Sequence, residues 1–171
     1  MKPELAHIKL LLLDVDGVLT DGGITYSDSG DQIKRFHSRD GFGLRLLMDS
    51  GIQVGIITGR KSKALEYRCE NLGITLLFDG IKDKLSAFDT IISQTGIIPE
   101  QIAFAGDDLM DLPVMTRVGV SFCVSDACNE VKDHSDIITT RKAGHGAVRE
   151  ICEHILKANG LWDAIVNKYL S

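Results

Sequence analysis

The stretch Lys9 to Gly17, KLLLLDVDG, constrains this chain more than any other, because a short apolar run passes directly into two aspartates one residue apart and then a glycine. A continuous run such as Leu10 to Leu13, bounded by a turn signal, reads as a strand covered on both faces of a parallel sheet. On an extended backbone Asp14 and Asp16 point to the same side, where their charges repel unless a cation bridges them. One Asp-Gly after a strand is ordinary turn chemistry. A second carboxylate beside it is not explained by turning the chain.

The pattern recurs downstream. Val54 to Ile57 reads as another buried strand and ends in Thr58, Gly59 and Arg60; Ile102 to Ala105 reads as a third and ends in GDDLMD, which carries Asp107, Asp108 and Asp111. Between them Lys84 opens an amphipathic helix with Leu85, Phe88, Ile91 and Ile92 along one face. In open parallel sheets ligands bind at the carboxyl ends of the strands. The groups collected there suit phosphoryl transfer: an aspartate attacks phosphorus, and a second carboxylate protonates the leaving alcohol and later deprotonates water. A hard divalent cation held by oxygens bridges Asp14, Asp107 and the phosphate, while Thr58 and Lys84 contribute a hydroxyl and a point charge. Asp108 and Asp111 either orient that metal site from behind or cap the following helix; both readings stand.

DVDGVLTDG, the strand ending in Thr58, then Lys84, then GDDLMD resemble, in order, the four motifs of the haloacid dehalogenase-like phosphohydrolases. The resemblance implies Asp14 as nucleophile, Asp16 as general acid and base, Thr58 and Lys84 as phosphoryl ligands, and Mg2+ held by Asp14, the main-chain carbonyl of Asp16, and Asp107. Within that family, DGGITYSDSGDQIKRFHSRDGFGLRLL and the tail TTRKAGHGAVREI are similar to the subgroup of 3-deoxy-D-manno-octulosonate 8-phosphate phosphatases. Membership there implies release of the free sugar acid in lipopolysaccharide precursor synthesis, in a homotetramer. It further implies that Asp16, His37, Ser38, Arg39, Asp40, Gly41, Arg45, Arg60, Arg68 and Lys84 meet the substrate. A second anionic group on the ligand gives the arginines something to bind, since the guanidinium fork matches a carboxylate. A nine-carbon 3-deoxy acid phosphate would use the same charges and is the alternative substrate.

Strand and helix patterns alternate along the chain, which predicts an α/β, doubly wound, mostly parallel sheet with helices on both faces, in one domain over residues 1–171. Ile24 to Tyr26 and Gln32 to Phe36 flank the turn cluster SDSGD and read as a protruding hairpin. Helices are expected over Gly41 to Ser50, Lys63 to Leu72, Leu109 to Arg117, Gly146 to Ala158 and Leu161 to Tyr169. The gaps Thr20 to Gln53 and Lys61 to Gln101 are filled by these elements, which leaves no cap domain. The hairpin's open edges, with no cap over them, favour pairing with other copies of the chain.

A formal net charge of -5 argues against nucleic acid as a partner. The first apolar run is too short to span a membrane and lacks a cleavage pattern, so no membrane partner and a cytoplasmic location are expected. Cys69, Cys123, Cys128 and Cys152 form no CxxC pair and read as reduced structural thiols rather than zinc ligands. Two rivals remain. A receiver-type signalling domain shares the residue types, but its phospho-accepting aspartate stands alone after a middle strand, whereas here that strand ends in Thr58. An inactive oligomerisation module would have no need of a complete motif set.

Overall fold

The computed structural model describes residues 5–170. Leu10–Leu13 forms β1, and all four side chains are buried. Successive strand residues face opposite sides, so burial of every one means that both faces of the sheet are covered. Gln53–Ile57 (β4) and Ile102–Gly106 (β6) flank β1 in parallel, with Leu13 opposite Ile56 on one side and Ala105 on the other. Leu76–Phe78 (β5), Val120–Cys123 (β7) and Ile137–Ile138 (β8) complete a six-stranded sheet of order β5-β4-β1-β6-β7-β8, parallel throughout. The chain winds outward from β1 first one way and then the other, which opens a crevice at the carboxyl ends of the central strands.

Thr25–Tyr26 (β2) and Gln32–Ile33 (β3) pair antiparallel as a separate hairpin. The expected strand to Phe36 stops at Ile33, because the chain then turns toward Ser38–Asp49 (α1), which begins three residues before Gly41 with His37 as its N-cap. Lys63–Leu72 (α2) ends on Gly73 at φ 81°, a left-handed cap. Lys84–Thr95 (α3) is capped by the Asp83 carboxylate, which accepts from the amides of Leu85 and Ser86. The helix expected over Leu109 to Arg117 is instead a 3-10 turn at Leu109–Asp111 followed by Leu112–Met115 (α4). Two causes act there: Asp111 folds its side chain back on the preceding amides, and Pro113 lacks an amide of its own. Asn129–Asp133 (α5), Ala147–Ala158 (α6) and Trp162–Leu170 (α7) follow, with α6 packed on α1. No cap domain interrupts the fold among the described residues, as the gap lengths require.

Candidate active site

The sheet register places Asp14, Thr58 and Asp107 at one edge, each the first residue past its strand. The Asp14 amide still donates to the Ala105 carbonyl at 3.0 Å, so the position of Asp14 is fixed by the ladder itself. Extended backbone ends there. Residues 15–20 form a tight turn in which the Val15 carbonyl accepts from Val18, Leu19 and Thr20, so Asp16 reaches the same cavity from a turn rather than by strand alternation. Gly17 makes the approach possible: its φ is +91°, and a Cβ there would lie 2.1 Å from Asp107 Oδ2. The open cavity at this edge has a volume of about 360 Å³ and is lined by Asp14, Asp16, Thr58, Gly59, Arg60, Lys84, Asp107, Asp108, Met110 and Asp111.

Negative charge is in excess on this wall. Oxygens of Asp14, Asp107 and Asp111 lie within 4.8 Å of one another. Lys84, almost wholly buried, donates to Asp14 Oδ1 and to Asp111 Oδ1, both at 2.7 Å. Burial works against the ammonium, but Asp14 and Asp111 more than offset it and hold Lys84 above its ordinary pKa. Asp14 is pushed up to about 6, chiefly by burial, with Lys84 pulling the other way and Asp111 adding to the rise. Asp107 is pushed up to about 8 by burial and by Asp14, Asp111 and Asp108 around it. One lysine does not neutralise this cluster.

Asp111 resolves into a scaffold role. Its Oδ2 accepts from the amides of Asp107 and Asp108, at 2.9 and 3.3 Å, while Oδ1 faces Lys84. Both oxygens are thus engaged, and of the three carboxylates Asp14 and Asp107 are the ones with capacity to meet a cation. Two carboxylates at an open cavity fit Mg2+, which takes one or two such ligands and completes its shell with water and phosphate oxygens. Asp108 caps the 3-10 turn by accepting from Leu109 at 2.8 Å. Asp16 is held differently: Lys34 donates to its Oδ1, and Arg60 Nε lies 3.8 Å from its Oδ2.

The remaining candidates do not meet this cavity within one chain. His37 accepts the Arg39 amide as N-cap of α1, and Ser38 and Arg39 are exposed. Asp40 is buried, and its Oδ1 accepts the Arg149 amide at 2.8 Å at the start of α6; burial raises its pKa. Gly41 is where Arg68 crosses α1, since a Cβ there would sit 2.2 Å from Arg68 Nη2. Arg68 lies over the Phe36 ring at 5.6 Å and donates to the His37 carbonyl at 3.4 Å, and Arg45 donates to the Asn71 carbonyl. These arginines bind α1 to α2. Lys34 escaped sequence reasoning altogether, because its partner lies 18 residues away and only the fold of the hairpin brings them together. All four cysteines are free thiols.

The profile of the haloacid dehalogenase-like hydrolases matches residues 79–151. The chain is 48% identical over 157 residues to the 3-deoxy-D-manno-octulosonate 8-phosphate phosphatase of Escherichia coli K12, covering 92% of this chain and 84% of that protein. The crystal structure of the same-named phosphatase from Yersinia pestis superposes with a TM-score of 0.92 at 46% identity, over 94% of this chain and 86% of the other. That of Moraxella catarrhalis, in complex with a magnesium ion, a phosphate ion and a KDO molecule, superposes with a TM-score of 0.95 at 42% identity, over 97% and 95%.

Proposed function

Because the chain belongs to the haloacid dehalogenase-like phosphatases, in the subgroup of the 3-deoxy-D-manno-octulosonate 8-phosphate phosphatases, we propose that it hydrolyses that ester to the free sugar acid and inorganic phosphate, for lipopolysaccharide precursor synthesis. The observation that carries this reading is the surplus of buried carboxylates over one lysine at an open cavity on the carboxyl edge of the sheet.

In the first step a carboxylate oxygen of Asp14 bonds to phosphorus as the ester oxygen leaves, and that oxygen takes a proton from Asp16. In the second, Asp16 takes a proton from water as the water oxygen bonds to phosphorus, which frees the Asp14 carboxylate and releases phosphate. The Thr58 hydroxyl and the Lys84 ammonium hold the phosphoryl oxygens. Asp14, Asp107 and the main-chain carbonyl of Asp16 would hold Mg2+, which when bound supplies positive charge against those oxygens. Arg60, half exposed on the cavity wall, would supply a guanidinium fork to the sugar carboxylate.

The enzyme reading includes one catalytic domain over residues 1–171, a cytoplasmic setting and a homotetramer. The free thiols accord with a reducing compartment. No helix among the described residues is long and apolar enough to cross a membrane. Ile24, Tyr26 and Ile33 stand exposed on the hairpin, a two-stranded ribbon with open edges that a second copy would cover. In such an assembly a neighbouring chain is the route by which His37 to Gly41, Arg45 or Arg68 would reach a substrate.

Phosphate release is measured from the eight-carbon acid phosphate, its nine-carbon analogue and neutral hexose phosphates, with wild type, Arg60→Ala and Arg68→Ala. Selectivity for the eight-carbon acid supports the assignment, and loss of one arginine contact lowers kcat/KM for acids by about ten- to a hundredfold. Equal kcat/KM for acidic and neutral esters refutes it, and preference for nine carbons moves it to the analogue.

A further inference from the structure

We infer that Lys34 is a positioning residue for the reaction: it fixes the Asp16 carboxylate in the orientation needed to protonate the leaving oxygen, and so couples the hairpin to the chemistry. This inference rests on the role proposed above for Asp16.

The geometry is specific. Lys34 follows β3 directly, and its side chain is only 4% exposed although the hairpin itself stands in solvent. Its ammonium meets Asp16 Oδ1, while Lys34 is absent from the cavity wall on which Asp16 lies. The lysine therefore approaches the carboxylate from behind. Occupying Oδ1 leaves Oδ2 as the oxygen turned toward the cavity, and Arg60 is on that side. A carboxylate in a turn has two rotatable bonds and several orientations; a buried ion pair at one oxygen selects among them. The next residue repeats the attachment, since Arg35 Nη2 bonds to Asp21 Oδ2 at 2.8 Å. Consecutive residues after β3 thus tie the hairpin's return to the turn that carries Asp16. Arg35 and Asp21 are exposed, so that second tie is weak, and Lys34 is the residue through which a displaced hairpin would disturb Asp16.

An acid is needed in proportion to how poor the leaving group is, which separates positioning of Asp16 from a general structural role. The probes are the eight-carbon sugar-acid phosphate, whose alkoxide leaves poorly, and p-nitrophenyl phosphate, whose phenolate leaves without help. Lys34→Met is expected to lower kcat on the sugar phosphate by about ten- to a hundredfold, with KM changed far less and the aryl ester affected several-fold less. Lys34→Arg, which keeps a cation able to reach a carboxylate, is expected to recover most of the loss. Asp16→Asn is run alongside. If Asp16→Asn shows no leaving-group dependence, the assignment of Asp16 as the acid fails. If Asp16→Asn shows it and Lys34→Met lowers both esters equally, or neither, the inference about Lys34 is overturned while the reading of Asp16 stands. The aryl-ester rate and Tm also report folding; where Lys34→Met loses both esters with a lowered Tm, Lys34→Arg decides, and failure of Lys34→Arg to favour recovery on the sugar phosphate overturns the inference.

Discussion

Two places in the molecule bury aspartate, and they behave as opposites. At the carboxyl edge of the sheet, Asp14, Asp107 and Asp111 crowd around Lys84 beside an open cavity. Between α1 and α6, Asp40 is as deeply buried, but its Oδ1 takes the Arg149 amide at a helix start, and the narrow pocket beside it is lined largely by apolar side chains such as Leu44, Ile56 and Leu65. The second carboxylate does a capping job, a common stabilising device. The first set cannot be explained that way, because it holds more negative charge than its partners neutralise. Burial of a charge therefore marks a site only where charge is in surplus and there is room for a ligand to balance it.

The contrast breaks most sharply at Asp14. Asp14→Asn is expected to leave less than about a hundredth of the rate, roughly 2.7 kcal/mol in barrier, without lowering Tm, since Asp111 still pairs Lys84 and one carboxylate of the cluster is gone. Retention of more activity than that, or a large drop in Tm, would make the cluster structural.

Lys84→Met probes the same cluster from the cationic side. It leaves Asp14 and Asp111 buried with no counter-charge, so a loss of about 3 to 5 kcal/mol in denaturant unfolding is expected together with loss of turnover. An unchanged midpoint would mean that Lys84 does not hold the cluster together.

A pH series without metal comes next. Asp107 carries a folded-state pKa of about 8 against an ordinary 3.8, so the folded chain holds this proton more tightly than the unfolded one. Its stabilising contribution is complete below the ordinary value and is lost as pH rises through about 8. Stability of the metal-free protein should fall over that window. Adding Mg2+ should raise Tm more at the alkaline end, where the carboxylate is available to bind it. A rise in Tm that is independent of pH would contradict the cluster's role.

The smallest effect belongs to the contrasting carboxylate. Asp40→Ala removes the acceptor of the Arg149 amide and should cost about 1 to 2 kcal/mol in stability, with kcat reduced far less than by Asp14→Asn. Asp40→Asn keeps an acceptor there and removes a buried charge whose Oδ2 has no partner, so it should cost less than the alanine. A loss of turnover in Asp40→Asn comparable to that in Asp14→Asn would join the two regions into one site.

The sheet and the Asp14, Thr58, Lys84 and Asp107 edge were legible in sequence because each lies at a boundary between an apolar run and a polar group, a local signal. The division of labour among the acids was not. Sequence alone permits two roles for Asp111, and only its distances to Lys84 and to two amides show it serving as scaffold to both. Arg45 and Arg68 read as substrate ligands by resemblance, yet within the chain they spend their hydrogen bonds on main-chain carbonyls of Asn71 and His37. Lys34 shows the converse: nothing local distinguishes it from a solvated hairpin lysine, and its partner is set by tertiary structure. The hairpin is legible in the alternation, but its return strand ends at Ile33 rather than Phe36, since alternation continues in sequence after the backbone has turned toward α1.

On the proposed mechanism the crowded edge forms a covalent bond to phosphorus through Asp14. Acid quenching of Asp16→Asn during turnover of p-nitrophenyl phosphate with Mg2+, an ester whose leaving group needs no acid, followed by peptide mass spectrometry, tests it directly. One phosphoryl group is expected on the peptide containing Asp14, and none when Asp14→Asn is added. A phosphoryl group on any other residue, or retained in the double variant, would contradict it.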